Sequence, residues 1–186
     1  MRIIIIHRWG ANPQSDWYSW LKRELEKKGH SVFVPEMPNT DEPMIEEWVA
    51  HLKRVVGQLD AETCFVAHSI GCQSVLRFLE GEKYSGKVGN VVFVAGWFKL
   101  DNLEGEEVVA IAKPWMNTPI DFSLVRRRLN SLTVFLSNNE PYGFVQYNSD
   151  VYQKELGAMV VIEKDKGHFT EEDRVVEMPE VLREFD

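Results

Sequence analysis

The stretch Phe65-Val66-Ala67-His68-Ser69-Ile70-Gly71 decides how this chain is to be read. An apolar, β-rich run passes through one serine straight into a segment of helical period, with small residues two positions before the serine and two after it. This is close to the GxSxG nucleophile elbow, with Ala67 in place of the first glycine. A tight strand-to-helix turn strains the backbone at the serine and brings neighbouring chains close, so both flanking positions must be small. The turn also sets Ser69 at a helix N-terminus, where free N–H groups favour negative charge on a bound acyl oxygen. A serine in this position is more often a helix cap than a nucleophile, so the reading depends on the rest of the chain.

On either side of the elbow, strand-like and helix-like segments alternate. Met1–Ile6, Ser31–Val34, Thr63–Ala67, Asn90–Ala95, Leu132–Ser137 and Ala158–Ile162 are short runs rich in Val, Ile and Phe, which read as buried strands. Trp17, Trp20, Leu21 and Leu25 recur at helical spacing before Gly29, and Ile45, Trp48, Val49, Leu52, Val55 and Val56 form a stripe from a Pro43 start to Gly57. A third helix starts at Ser69, and Phe144–Leu156 and Pro179–Phe185 supply two more. Residues 98–130 fit least well, with an acidic stretch and two prolines, and read as one helix plus a loop. The alternation predicts a three-layer α/β/α sandwich around a mostly parallel six-stranded sheet, with the loops after the strands gathered along one edge.

The chain has 186 residues, 44% of them hydrophobic and 27% charged, and shows no repeat or linker, so one domain spanning 1–186 is expected. Lys plus Arg total 21 against 29 Asp plus Glu, a net charge of −8 that disfavours nucleic acid and anionic membrane as partners. The longest early apolar run, Ile3–Ile6, is too short for a secretory or membrane segment, and a cytoplasmic location is expected. Cys64 and Cys72 have neither CxxC nor metal-ligand spacing, so they read as buried free thiols, and no metal or other cofactor is expected. A nucleotide-binding reading would need a GxGxxG or P-loop after the first strand, and His7-Arg8-Trp9-Gly10 is neither.

Two residues after the elbow complete an order of side chains. Glu140, before Pro141, falls in the loop after the fifth strand, and His168, after Gly167, falls in the loop after the sixth. Nucleophile, acid and histidine then follow the chain order of the α/β hydrolases. In those roles His168 would take the Ser69 proton, and Glu140 would fix the imidazole tautomer and stabilise the imidazolium. The backbone N–H groups of Trp9, in the loop after the first strand, and of Ile70, after the nucleophile, are the candidate oxyanion hole. His7 ends a strand and is expected to orient its loop, while His68, adjacent to Ser69, should point to the opposite face. Arg8, Trp97 and Tyr142 are the candidate substrate-pocket residues, and Trp9 lies beside them. Trp115, Trp17, Trp20 and Trp48 are expected in the core, and Arg126-Arg127-Arg128 on a solvated helix face.

With Asn12-Pro13, Val34-Pro35-Glu36-Met37-Pro38, Lys113-Pro114-Trp115 and Lys166-Gly167-His168-Phe169 added to these motifs, the sequence resembles the small serine hydrolases of the retinoblastoma-binding protein nine and YdeN type, over nearly its whole length. The resemblance implies a minimal α/β-hydrolase fold with little or no cap, a serine triad, and carboxylesterase-like or amide-hydrolase-like activity on a small molecule. Ser69 and His168 match the family's nucleophile and histidine. Glu140 stands where the family usually has aspartate before proline. Arg8 stands where relatives commonly have glycine, so it strains the oxyanion loop, offers a guanidinium to a substrate carboxylate, or is an ordinary solvated side chain. These departures leave open a hydrolase fold that only binds a ligand or a protein partner.

Overall fold

The computed structural model describes residues 1–186. Six strands, β1 (Arg2–Ile6), β2 (Ser31–Phe33), β3 (Thr63–His68), β4 (Val88–Val94), β5 (Leu129–Ser137) and β6 (Met159–Glu163), form one sheet in the order β2-β1-β3-β4-β5-β6. Every neighbouring pair is parallel. The alternating side chains of each central strand serve opposite cores. Ile4, Ile6, Phe65, Ala67, Val91 and Phe93 pack on one face, and Ile3, Ile5, Cys64, Val66, Val92 and Val94 on the other.

The first face is covered by α2 (Ile45–Val56), α3 (Ile70–Gly81), α4 (Glu106–Asn117), α5 (Phe122–Arg128) and α6 (Val145–Leu156), which contribute Trp48, Val75, Trp115, Val125 and Tyr152. The second is covered by α1 (Tyr18–Lys27) and α7 (Pro179–Arg183). Trp17, Trp48 and Trp115 are buried as expected, but Trp20 is only half-buried, because α1 turns Tyr18, Leu21 and Leu25 inward and leaves Trp20 at the rim. Pro43 lies one residue before the N-cap Met44 rather than in the helix. Cys64 and Cys72 are buried free thiols. No helix is long and apolar enough to cross a membrane.

Residues 98–130 hold two helices, not one. Pro114 sits inside α4 and removes a backbone donor there, a disruption worth about 3 kcal/mol in a helix interior. Tertiary bonds hold the helix through it. Trp115 Nε1–H donates to the Pro43 carbonyl at 2.9 Å, and the Arg77 guanidinium donates to the carbonyls of Trp115, Thr118 and Pro119 at its C-terminal end. The second helix, α5, starts at Asp121, whose carboxylate accepts from the Leu124 N–H at 3.0 Å. Of the arginines at its end, Arg126 and Arg127 are exposed, while Arg128 turns in to cap the Leu79 and Glu80 carbonyls.

Candidate active site

Ser69 lies between β3 and α3 with φ 56° and ψ −121°, a conformation that non-glycine residues rarely adopt. Its N–H donates to the Val94 carbonyl at 2.9 Å, which pins the turn to the neighbouring strand. The reason for a small residue at 71 is visible: a Cβ on Gly71 would stand 2.9 Å from the carbonyl oxygens of both Ile6 and His7. A side chain there would drive α3 away from β1 and carry the serine with it.

His168 Nε2 is 2.8 Å from Ser69 Oγ, and His168 Nδ1 is 2.8 and 2.9 Å from the two oxygens of Glu140. A nitrogen between two carboxylate oxygens carries a proton, so Nε2 is left to accept from the serine hydroxyl. The two loops that bring these groups together are stitched to each other. Asn139 Oδ1 accepts from the Gly167 N–H at 2.8 Å and from Ser137 Oγ at 2.6 Å, and Ser137 Oγ accepts from the Lys166 N–H at 3.0 Å. Asp173 then receives the His168 N–H at 2.8 Å and the Thr170 hydroxyl at 2.8 Å. Gly167 has φ 54°, and a Cβ on it would overlap the Asp173 carboxylate, so the glycine before the histidine is required twice over.

His68 and His7 take no part in that chain of three. His7 Nε2 accepts from the Met37 N–H at 3.0 Å and Nδ1–H donates to the Arg8 carbonyl at 2.9 Å, so it orients its loop as the sequence implied. His68 is fully buried behind Ser69. The Arg8 N–H donates to Tyr18 Oη at 3.2 Å, the Tyr18 hydroxyl donates to His68 Nδ1 at 2.6 Å, and His68 Nε2–H donates to the His168 carbonyl at 2.8 Å. A buried line of hydrogen bonds therefore ties the loop after β1 to the loop carrying His168. Nothing in the sequence placed Tyr18 in it, because Tyr18 also belongs to the apolar stripe of α1.

Burial, with help from His168, pushes the His68 pKa down to about 3, so the ring is neutral when folded. An unfolded histidine titrates near 6.5, and the unfolded chain thus binds an extra proton between these values. The His68 contribution to stability is complete above about pH 6.5 and is lost as pH falls toward 3. At pH 4.5 the loss from this one group should be about 2–3 kcal/mol. Urea unfolding at pH 7 and 4.5 checks it: His68→Gln should lose less stability over that interval than the wild type, and equal losses would contradict the assignment.

Arg8 is outside the positive-φ residues, so the loop tolerates it without strain, and Gly10, at φ 66°, makes the turn. Its guanidinium is held by Asp16, with Nε 2.8 Å from Oδ2, and Glu172 lies 3.7 Å away. Burial favours the neutral carboxyl of Asp16, but the Arg8 hydrogen bond, the Glu171 N–H bond and nearby positive charge together outweigh it and hold the pKa below the usual value. The free cation that the sequence suggested for a substrate carboxylate is thus already paired.

Ser69 and His168 open onto a cleft of about 720 Å³. Trp9, Trp97, Leu100, Leu103, Val108, Ile111 and Tyr142 supply its apolar lining, and Arg8, Asp41, Glu42 and Glu107 its charged groups. Trp97, Tyr142 and Arg8 thus line the cleft, and Trp9 lies beside them with its ring N–H on the Asp41 carbonyl at 2.9 Å. The Tyr142 ring stands edge-on to His168, with centroids 5.0 Å apart.

A parallel sheet with helices on both faces and a serine at a strained strand-to-helix turn defines the α/β-hydrolase class. Residues 3–186 match the family model described as serine hydrolase, and the chain belongs to that family. It is 26% identical over 179 residues to YdeN of Bacillus subtilis (strain 168), which bears a hydrolase name, covering 96% of this chain and 90% of that one. The crystal structure of the B. subtilis ydeN product superposes with a TM-score of 0.89 at 25% identity, covering 98% of this chain and 95% of that one. Est1E from Butyrivibrio proteoclasticus with ferulic acid bound shares the fold, with a TM-score of 0.73 at 13% identity, covering 99% and 87% of the two chains.

Proposed function

We propose that this hydrolase cleaves a carboxylic ester, thioester or activated amide of a small molecule through an acyl-enzyme on Ser69. The observation that carries the reading is the unbroken hydrogen-bonded chain from Ser69 Oγ through both nitrogens of His168 to both oxygens of Glu140. Ser69 Oγ attacks the carbonyl carbon as His168 Nε2 takes its proton. The imidazolium returns that proton to the leaving group, and water repeats the sequence to release the acid. Glu140 keeps Nδ1–H in place and stabilises the imidazolium.

The developing oxyanion is received by the backbone N–H groups of Trp9 and Ile70. Trp9 N–H donates to no group of the protein, and Ile70 is the first residue of α3, where an N–H has no intrahelical partner. The apolar lining suits an acyl or alkyl chain. The test is hydrolysis of p-nitrophenyl esters from acetate to octanoate, with equal release of phenol and acid above the buffer rate. Release at the buffer rate for every ester would turn the reading to a hydrolase fold that only binds.

A further inference from the structure

A serine hydroxyl has one proton and two lone pairs. The proton of Ser69 goes to His168 Nε2, and one lone pair accepts the indole N–H of Trp97, with Nε1 3.1 Å from Oγ. One lone pair remains. The indole is buried at 3% exposure and is itself fixed, since the Trp97 carbonyl accepts from Gln73 Nε2 at 3.0 Å. Gln73 sits one turn into the helix that Ser69 begins, and its Oε1 accepts from Arg77 at 3.0 Å, which sets the amide so that its NH2 faces Trp97. The same Arg77 guanidinium holds the end of α4, the helix that forms one wall of the cleft.

We propose that the Trp97 indole N–H is a catalytic group: it stabilises the serine oxygen as that oxygen leaves the acyl-enzyme. This rests on the acyl-enzyme reading above. In the acyl-enzyme Oγ is an ester oxygen, a poor acceptor because its lone pair is shared with the carbonyl. During deacylation, water adds to the acyl carbon and gives a proton to His168 Nε2. The carbon–Oγ bond then breaks, its electron pair goes to Oγ, and Oγ takes that proton back from Nε2 to leave the serine hydroxyl and the free acid. Trp97 keeps its own proton throughout. Its hydrogen bond strengthens as charge returns to Oγ, which lowers the barrier to deacylation. In acylation the bond is already present on the free hydroxyl, so little is gained.

Trp97→Phe keeps most of the ring and removes the N–H. It should lower kcat on p-nitrophenyl acetate about ten- to a hundredfold, the loss expected for a hydrogen bond to a charged group. KM should fall with kcat as acyl-enzyme accumulates, and stopped flow should show a burst approaching one phenol per protein. Labelling of Ser69 by a fluorophosphonate, which reports attack alone, should stay within about threefold of wild type. Gln73→Glu, isosteric and still facing Arg77, withdraws the donor from the Trp97 carbonyl and should shift the same quantities in the same direction. An unchanged kcat in both variants, or a parallel fall in labelling and kcat without a burst, would overturn the role. Should wild type neither label nor turn over ester, the acyl-enzyme reading beneath it would fail instead.

Discussion

Ser69→Ala is expected to lower kcat on p-nitrophenyl acetate by about four to six orders of magnitude, leaving only what oriented binding and the oxyanion donors supply. Alanine occupies the same strained turn without a new clash, so the thermal unfolding curve should stay close to that of the wild type. His168→Ala should lose a comparable amount, because without the base the hydroxyl keeps its proton. The double variant should be no slower than the slower single one. Such non-additivity marks groups that act as one unit, and additive losses would mean that serine and histidine serve separate steps. Steady-state rates for the three variants, beside their melting curves, decide the matter.

Glu140→Gln should lower kcat by about two to four orders of magnitude, less than loss of the serine, since nucleophile, base and oxyanion donors remain. The amide preserves size but not charge. It can accept one hydrogen bond from Nδ1–H, yet it offers no compensation to the imidazolium and can turn its NH2 toward the ring, selecting the wrong tautomer. A glutamate in place of the aspartate implied by the resemblance still reaches the histidine. The longer side chain places both oxygens within 2.9 Å of Nδ1, and the acid loop is stitched to the histidine loop through Asn139 and Ser137. Unchanged kcat in Glu140→Gln would assign the acid to another carboxylate.

Buried strands on both faces of a parallel sheet leave continuous Val, Ile and Phe runs, and the four central strands match that reading. β2 and β6 are strands as expected but not buried, because they lie at the sheet edges and leave Phe33, Met159 and Ile162 exposed. Ser69, Glu140 and His168 were legible, because the elbow restricts residue size locally and the order of the other two follows from the order of the strands. Residues 98–130 read as one helix plus a loop because an acidic stretch and two prolines break the local pattern, whereas the bonds that hold α4 through Pro114 come from Arg77 and Pro43, far away in sequence. Arg8 carried the same ambiguity. Only the fold shows Asp16 beside it, eight residues further along the chain.

Intact mass after incubation with a fluorophosphonate probe, comparing wild type with Ser69→Ala, tests the central claim most directly. A single adduct on the wild type that is missing from Ser69→Ala is the predicted result, since only a serine with its proton drawn away by His168 reacts readily with such a probe. A well-folded wild type that takes up no adduct, or a variant that takes up as much, would contradict it.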